Sequence, residues 1–233
     1  MMLLAMETAN ESCSVSLYDG QRIVAHRQDG RSREQTRLLL PMIDAVLAEQ
    51  NLRVDQLAAI AFSRGPGSFS GVRINAAVTQ ALAWAHDLPV IPVSSLQALA
   101  QAAYRQHQLT HVVALIDARM NELYSAAYAL DAQQLMQSSE THTEQLGAYD
   151  QWSVPSDDNT YVLVGNGSLL ATQADSNGEG LRCYPAVQAS SEDIAVLGYA
   201  VLQAGQALSA EQALPVYLRD NAWKKIPEQQ RRD

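Results

Sequence analysis

The residues of this sequence that could bind an anion lie in one glycine-rich stretch, which reads IAFSRGPGSFSGVRI from Ile60 to Ile74. Its apolar start predicts a strand, and the alanine-rich segment after it predicts a helix with Ser70 at the N-cap. Glycines permit positive φ values and let another group approach closely, and a helix N-terminus presents N–H groups that suit an anion. Because the G-x-G-x-x-x-G spacing is neither a dinucleotide fingerprint nor a P-loop, a tight turn that docks the helix on a sheet is the alternative. The candidate residues of this glycine loop are Arg64, Gly65, Gly67, Ser68, Ser70, Gly71 and Arg73.

Histidine, serine and cysteine chemistry has weak support in the sequence. His107 and His111 are four residues apart, but the break between them argues against one shared helical face and so against a metal ion. Ser68 and Ser70 have no histidine close by in the sequence, which argues against a covalent serine mechanism. Cys13 falls inside a predicted strand, where a packed thiol is expected. We therefore predict no catalytic residues and no metal ligands.

Four segments of the sequence are similar to motifs of one protein family. The string RGPGSFSGVRI at 64–74 resembles the signature of the bacterial tRNA threonylcarbamoyladenosine biosynthesis protein family TsaB, also called YeaZ. The amino-terminal LLAMET and CSVSL segments, IDARMNELY at 116–124 and PVYLR at 215–219 resemble its opening hairpin, the start of its second half and its carboxyl end. The resemblance spans nearly the whole chain. It implies a two-lobed actin-like (sugar-kinase-like, ASKHA) α/β fold with mixed sheets and a reduced second lobe.

Composition and charge narrow the class of protein. The chain has 233 residues, 47 % of them apolar, which is enough for one large domain or two small ones. Its 16 basic and 25 acidic residues give a net charge of −9, so contact with tRNA is expected only through a complex. Two cysteines, no signal peptide and no apolar run of membrane length predict a soluble, cytoplasmic protein with no membrane partner. The basic residues of a predicted solvated tail are Arg219, Lys224, Lys225, Arg231 and Arg232.

The first part of the chain follows the order βββαβαβα, which is one half of an actin-like fold. Pro41 predicts that the first helix starts late or bends, and Ser94 or Ser95 is expected to cap the third. The predicted strands are 3–8, 13–18, 22–27, 59–63 and 89–93, and the predicted helices are 35–50, 71–86 and 95–106.

The second part of the chain is shorter in regular structure and richer in loops. We predict strands at 111–116, 122–130 and 161–164 and a last helix at 191–207. The polar segments 131–160 and 173–190 predict loops with at most one short helix. The predicted domains are therefore an amino-terminal lobe, 1–106, and a carboxyl-terminal lobe, 107–233.

An actin-like fold usually holds a nucleotide between its lobes, on two phosphate turns and one adenosine turn. The first phosphate turn would be Thr8–Ser12, which has no glycine. The second would be Asp117–Asn121, where an active ATPase carries glycines and this chain has Arg119 and Met120. The adenosine turn, Gly165–Gly167, is retained in part. We therefore predict no tightly bound cofactor and leave open a nucleotide at a composite interface, contacted by the glycine loop.

The resemblance to TsaB implies a role without catalysis. The related transferase TsaD carries a histidine pair near the start of the helix after the fifth strand, and the matching residues 93–99 contain none. The resemblance implies a scaffold or activator that docks TsaD, together with the small ATPase TsaE, for threonylcarbamoyl transfer to an adenosine next to the tRNA anticodon. The alternatives are a small-molecule kinase or a glycoprotease-like hydrolase of the same fold.

Two helices of the first half carry more apolar surface than one sheet face requires. Residues 35–50 have apolar side chains around the whole cylinder, and the alanines of 71–86 would let another helix approach closely. In the TsaB family these helices pair with those of the transferase or of a second copy, which implies a heterodimer with TsaD and a homodimer in isolation. Burial inside the subunit is the alternative. The predicted interface residues are Leu39, Leu40, Ile43, Ala77, Val78, Gln80, Ala81 and Trp84.

Overall fold

A computed structural model of the chain describes residues 1–31, 34–155, 160–174 and 181–219. The predicted order βββαβαβα of the first half is confirmed, with element bounds that differ from the predicted ones by at most two residues. The strands are β1 (Leu3–Glu7), β2 (Cys13–Tyr18), β3 (Ile23–Asp29), β4 (Ala59–Gly65) and β5 (Val90–Ser94). The helices are α1 (Gln35–Glu49), α2 (Phe69–His86) and α3 (Ser95–His107).

The second half adds a second mixed sheet, with the strand order β11-β10-β6-β7-β8, while β9 pairs with β7. Its strands are β6 (His111–Arg119), β7 (Glu122–Leu130), β8 (Met136–Ser138), β9 (Gln145–Ala148), β10 (Val162–Val164) and β11 (Cys183–Tyr184). Its helices are α4 (Ser168–Ala174) and α5 (Ser191–Gln203). The prediction of loops at 131–160 and 173–190 is wrong for β8, β9 and β11. These strands have two to four residues each, too few to show an alternating pattern.

The first sheet has the strand order β3-β2-β1-β4-β5 and is covered on both faces. Side chains of β1 alternate between the faces: Leu4 and Met6 pack under α1 and α2, whereas Leu3 and Ala5 pack under α5. Every residue of β1 is buried as a result. The helices α1 and α2 therefore lie side by side on one face, with their outer surfaces away from the core.

The segment 191–208, which follows the second sheet, returns to the first sheet. On α5, Gly198 lies so close to β4 that an added Cβ would be 2.6 Å from the Cβ of Ala61. Beyond α5, the backbones of Leu208 and Val90 exchange two hydrogen bonds of 2.8 and 2.9 Å. The division into domains 1–106 and 107–233 stays a prediction, and these contacts cross it.

Two local predictions need correction, and one alternative of a third is excluded. The helix α1 begins at Gln35, six residues before Pro41, so it does not start late, and the alternative of a bend at Pro41 stays a prediction. The N-cap of α2 is Ser68 rather than Ser70, because the Ser68 hydroxyl accepts a hydrogen bond from the Gly71 N–H at 3.3 Å. The helix α5 ends at Gln203 instead of Ala207. The cap of α3 is Ser94, one of the two predicted alternatives.

No helix within the described ranges is long and apolar enough to cross a membrane. The predicted basic tail lies outside the described residues apart from Arg219.

Candidate functional site

The glycine loop packs against the backbone of its own chain. A Cβ added at Gly67 would overlap the carbonyl oxygen of Ala9, and one added at Gly71 would overlap that of Thr8. The Ser68 N–H donates to the Ala9 carbonyl at 2.7 Å, and the Thr8 hydroxyl donates to the Gly71 carbonyl at 2.8 Å. These glycines therefore serve close approach between two backbone segments, which favours the tight-turn interpretation of the loop over the anion site.

Positive φ is needed at one glycine of this loop. Gly65 has a φ of +97°, and a Cβ there would lie 3.1 Å from the carbonyl oxygen of Val216. Gly67 and Gly71 lack positive φ values, so their role is close approach alone.

The first predicted phosphate turn is filled by side chains of this chain. The Glu7 carboxyl accepts hydrogen bonds from the N–H groups of Ala9 at 2.5 Å and Asn10 at 3.3 Å. The Asn10 side chain accepts from the Ser12 N–H at 2.8 Å. Burial raises the pKa of Glu7 to about 7, although the hydrogen bonds from the N–H groups of Ala9 and Asn10 act to lower that pKa. The backbone N–H groups of Ala9, Asn10 and Ser12, which would face a phosphate at this turn, therefore already donate hydrogen bonds to side chains of this chain.

The second predicted phosphate turn is an exposed hairpin tip between β6 and β7. Its three residues Arg119, Met120 and Asn121 all have positive φ values, between 56° and 63°. The Asp117 carboxylate holds the tip through the Arg119 N–H at 2.8 Å and the Arg119 guanidinium at 3.0 Å. On the other side of the tip, Arg219 donates to the Ala118 carbonyl at 3.1 Å.

The predicted adenosine turn is packed closely against β6. Gly165 has a φ of +95°, and a Cβ there would lie 2.5 Å from the carbonyl oxygen of Leu115. The Asn166 side chain accepts a hydrogen bond from the Asp117 N–H at 3.0 Å, which ties this turn to the second phosphate turn.

The structure brings one histidine to serines, but in a buried cluster. The Ser16 hydroxyl lies 2.9 Å from His26 Nδ1 and 2.7 Å from the Ser191 hydroxyl. Ser16 and Ser191 are both fully buried, so neither is placed to attack a substrate. The ring of His107 packs on Tyr184, with centroids 4.7 Å apart. Across the described residues, no group of three or more His, Cys, Asp and Glu side chains could hold a metal ion.

The two arginines of the glycine loop make contacts across the molecule. Arg64 forms an ion pair with Glu144 of the second half at 3.0 Å. The guanidinium of Arg73 lies 3.2 Å from the centroid of the Phe69 ring and 4.8 Å from that of Tyr217. Both rings are about half exposed, so the start of α2 carries an aromatic–guanidinium stack at the surface.

The predicted interface residues fall into three groups. The prediction is wrong for Leu39 and Ile43, which are 1 % and 2 % exposed, because this stripe of α1 faces the sheet. The amide of Gln80 lies 3.4 Å from the carbonyls of Ala210 and Glu211, so it faces the 3₁₀ turn Ala210–Gln212. The remaining predicted residues reach the surface, and we call them the α1–α2 surface: Leu40, Ala77, Val78, Ala81 and Trp84.

The sequence alone did not single out two groups of the site. Glu7 closes the first turn, and its only signal was an acidic residue at the end of an apolar strand. Asp87 and Glu211 line one groove at the end of α2 although they are 124 positions apart in the sequence, and no local pattern joins them.

Comparison with known proteins places the chain beside two related families. A family model described as "TsaD: tRNA N6-adenosine threonylcarbamoyltransferase" matches residues 29–196. The chain is 38 % identical to the tRNA threonylcarbamoyladenosine biosynthesis protein TsaB of Haemophilus influenzae, with 97 % of this chain and 98 % of that protein covered. It is 36 % identical to TsaB of Escherichia coli, with 97 % and 99 % covered.

The share of each relative's length that the match covers distinguishes the two families. A transferase of Burkholderia pseudomallei is 33 % identical over 113 residues, which cover 33 % of its length. The solved structure titled "YeaZ from Pseudomonas aeruginosa" is 35 % identical, covers 93 % of this chain and 99 % of that chain, and superposes with a TM-score of 0.86. The actin-like fold predicted from the sequence is thereby confirmed. Because TsaB proteins that are 38 % and 36 % identical match over 97 % of this chain, the chain belongs to the TsaB (YeaZ) family.

Proposed function

We propose that this chain is a non-catalytic subunit of tRNA threonylcarbamoyladenosine biosynthesis, which docks the transferase TsaD through the α1–α2 surface. TsaE joins that assembly, and tRNA meets this chain only indirectly through it. The observation that carries the proposal is the exposed apolar face of two neighbouring helices on one side of the first sheet. Self-association of the same surface into a homodimer is its competing use.

The composition of the α1–α2 surface supports docking. Ala77 and Ala81 are one helical turn apart and both exposed, so a partner helix can approach the α2 backbone closely. Trp84 follows on the same face with 65 % of its side chain exposed, and Leu40 of α1 is 50 % exposed. Exposed large apolar side chains on adjacent helices are typical of protein–protein interfaces.

The predicted nucleotide turns support a role without chemistry. In the first turn the carboxyl of Glu7 and the side chain of Asn10 take up backbone N–H groups. In the second turn the Asp117 carboxylate is engaged by Arg119. An actin-like kinase would need such turns open to phosphates, so the kinase alternative has little support. Any nucleotide would therefore bind at a composite interface with the partner.

The docking proposal is tested by a charged side chain on the α2 face. Ala77→Arg places a charge against the apolar partner, and removal of that charge from water should weaken a micromolar association beyond detection. Because Ala77 is exposed, circular dichroism should show a folded variant. The control is Ala204→Arg, at an exposed position at the end of α5 on the opposite face of the sheet.

Gel filtration of each variant mixed with purified TsaD measures whether the complex forms. The control should co-elute with TsaD as the wild type does, whereas folded Ala77→Arg should elute alone. A folded Ala77→Arg variant with wild-type co-elution would place the interface elsewhere. Loss of self-association with retained TsaD binding would assign the surface to the homodimer.

A further inference from the structure

An open groove of about 430 Å³ lies at the carboxyl end of α2. One wall is the last turn of α2 with Trp84 and Asp87, and the other is the segment 208–211 with Glu211. Leu88 and Leu208 give the groove apolar lining. Because Trp84 also belongs to the α1–α2 surface, the groove continues that surface beyond the end of the helix.

The charges of the groove are all negative. Asp87 and Glu211 are its charged lining residues, and both are exposed. Within the described part of the chain neither carboxylate has an ion-pair partner, although Glu211 accepts a hydrogen bond from the Ser209 hydroxyl at 2.7 Å. The groove therefore offers two carboxylates to a cation from outside the chain.

The end of α2 adds to this negative potential. Asp87 is the C-cap of the helix, with a φ of 53°. A helix C-terminus carries a partial negative charge, which disfavours a carboxylate and favours a cation there. Asp87 thus lies where its charge does not help the helix, and a bound cation would relieve both the helix end and the carboxylate.

The indole of Trp84 supplies the third contact. Tryptophan has the most favourable ring face for a cation, and tryptophan and arginine are enriched among residues that dominate binding energy in interfaces. The Trp84 side chain is 65 % exposed and lines the groove together with the carboxylates. The groove therefore combines an aromatic face, two carboxylates and an apolar lining. This combination fits an amphipathic cation with an aliphatic stem.

We propose that this groove binds a lysine or arginine side chain of the protein that docks on the α1–α2 surface. The stem of that side chain packs against Trp84 and Leu208, and its charge lies between Asp87 and Glu211. The apolar surface supplies contact area, and the groove selects a partner with a basic anchor. The identification of that partner as TsaD rests on the proposed function.

The test measures the affinity of the chain for purified TsaD by calorimetry at low and at physiological salt. In the variant Asp87→Asn/Glu211→Gln we expect affinity to fall about tenfold at low salt and its salt dependence to flatten. The control Glu140→Gln/Asp150→Asn makes the same change in net charge at exposed positions of the second half and should match the wild type. Trp84→Phe should bind more tightly than Trp84→Ala, because the phenyl ring retains an aromatic face.

The outcomes separate this inference from the proposed docking face. If Ala77→Arg abolishes TsaD binding and the groove variant behaves like its control, the groove inference alone is overturned. If Ala77→Arg binds normally and the groove variant binds weakly, the docking face is wrong, whereas the binding of a basic TsaD side chain in the groove is supported. A groove variant that changes only self-association would make a second copy the occupant and overturn the inference. Absence of wild-type binding to TsaD overturns both.

Discussion

Gly71 lies against the carbonyl oxygen of Thr8, at a separation that leaves no room for a Cβ. The Thr8 hydroxyl also donates a hydrogen bond to the Gly71 carbonyl at 2.8 Å. The two residues are therefore in contact through both the backbone and the side chain of Thr8. The turn after β1 and the start of α2 are therefore held together through backbone contact. The glycine loop is specified by the packing of its own chain, which explains why its spacing matches no phosphate-binding motif.

We predict that a side chain at position 71 destabilises the fold. Gly71→Ala should lower the free energy of unfolding by about 2–4 kcal/mol, because the new Cβ must displace the backbone at Thr8. The cause is overlap rather than φ strain, since Gly71 has no positive φ. Urea denaturation gives the value, and Gly147→Ala is the control, because nothing lies within 4 Å of a Cβ there. Equal stability of Gly71→Ala and the wild type would contradict this account.

We predict that Glu7 makes stability fall as the pH rises. Burial raises the pKa of Glu7 from 4.5 to about 7, so the folded chain binds its proton more tightly than the unfolded chain. The resulting stabilisation is complete below the unfolded pKa and is lost as the pH rises through the folded pKa. Over that window the loss is about 3 kcal/mol.

The matched variant for this prediction is Glu7→Gln, which cannot titrate. Urea denaturation between pH 5 and pH 8 should show the wild type losing stability relative to Glu7→Gln as the pH rises. A constant difference between the two proteins across this range would show that Glu7 titrates with the same pKa in both states.

The part of the fold that sequence patterns predict is the part built from local signals. Apolar runs and glycine turns predict the strands of the first sheet, and Ser94 marks the start of α3. The placement of α5 on the first sheet has no local signal, because it depends on Gly198 meeting Ala61 across 137 positions of sequence. Long-range contacts of this kind have to be seen in the structure.

The residues of the candidate site also divide into those that local patterns predict and those that depend on distant segments of the chain. Helical spacing predicts that Ala77, Ala81 and Trp84 share one face of α2, and the structure shows that this face is exposed. It fails for Leu39 and Ile43, because helical periodicity identifies an apolar stripe without saying which stripe faces the sheet. The acidic groove beyond Trp84 depends on the distant segment 208–211 and has no counterpart in any local pattern.

We predict that the ion pair between α3 and α5 is required for stability. The Arg105 guanidinium contacts both oxygens of the Asp193 carboxylate at 2.9 Å, and Asp193 is 1 % exposed. Asp193→Ala should lower the free energy of unfolding by about 1–3 kcal/mol, because it removes the hydrogen bonds of a buried carboxylate to the Arg105 guanidinium and to the Ser190 N–H. Thermal denaturation measures the loss, and Asp55→Ala, in the exposed pair with Arg53, should leave the melting temperature unchanged. Similar melting temperatures for both variants would show that the pair of Arg105 and Asp193 contributes little.

We predict that the isolated chain neither hydrolyses ATP at a meaningful rate nor modifies tRNA. The Asp117 carboxylate, which stands where an actin-like ATPase begins its second phosphate turn, is held by the Arg119 N–H and guanidinium. The first turn directs the N–H groups of Ala9 and Asn10 onto Glu7, so a phosphate would have to displace a buried carboxyl. Phosphate release from ATP with Mg²⁺ should therefore equal the buffer rate for the wild type and for Asp117→Ala alike. Metal-dependent turnover by the pure wild type that Asp117→Ala abolishes would give this chain an active site of its own.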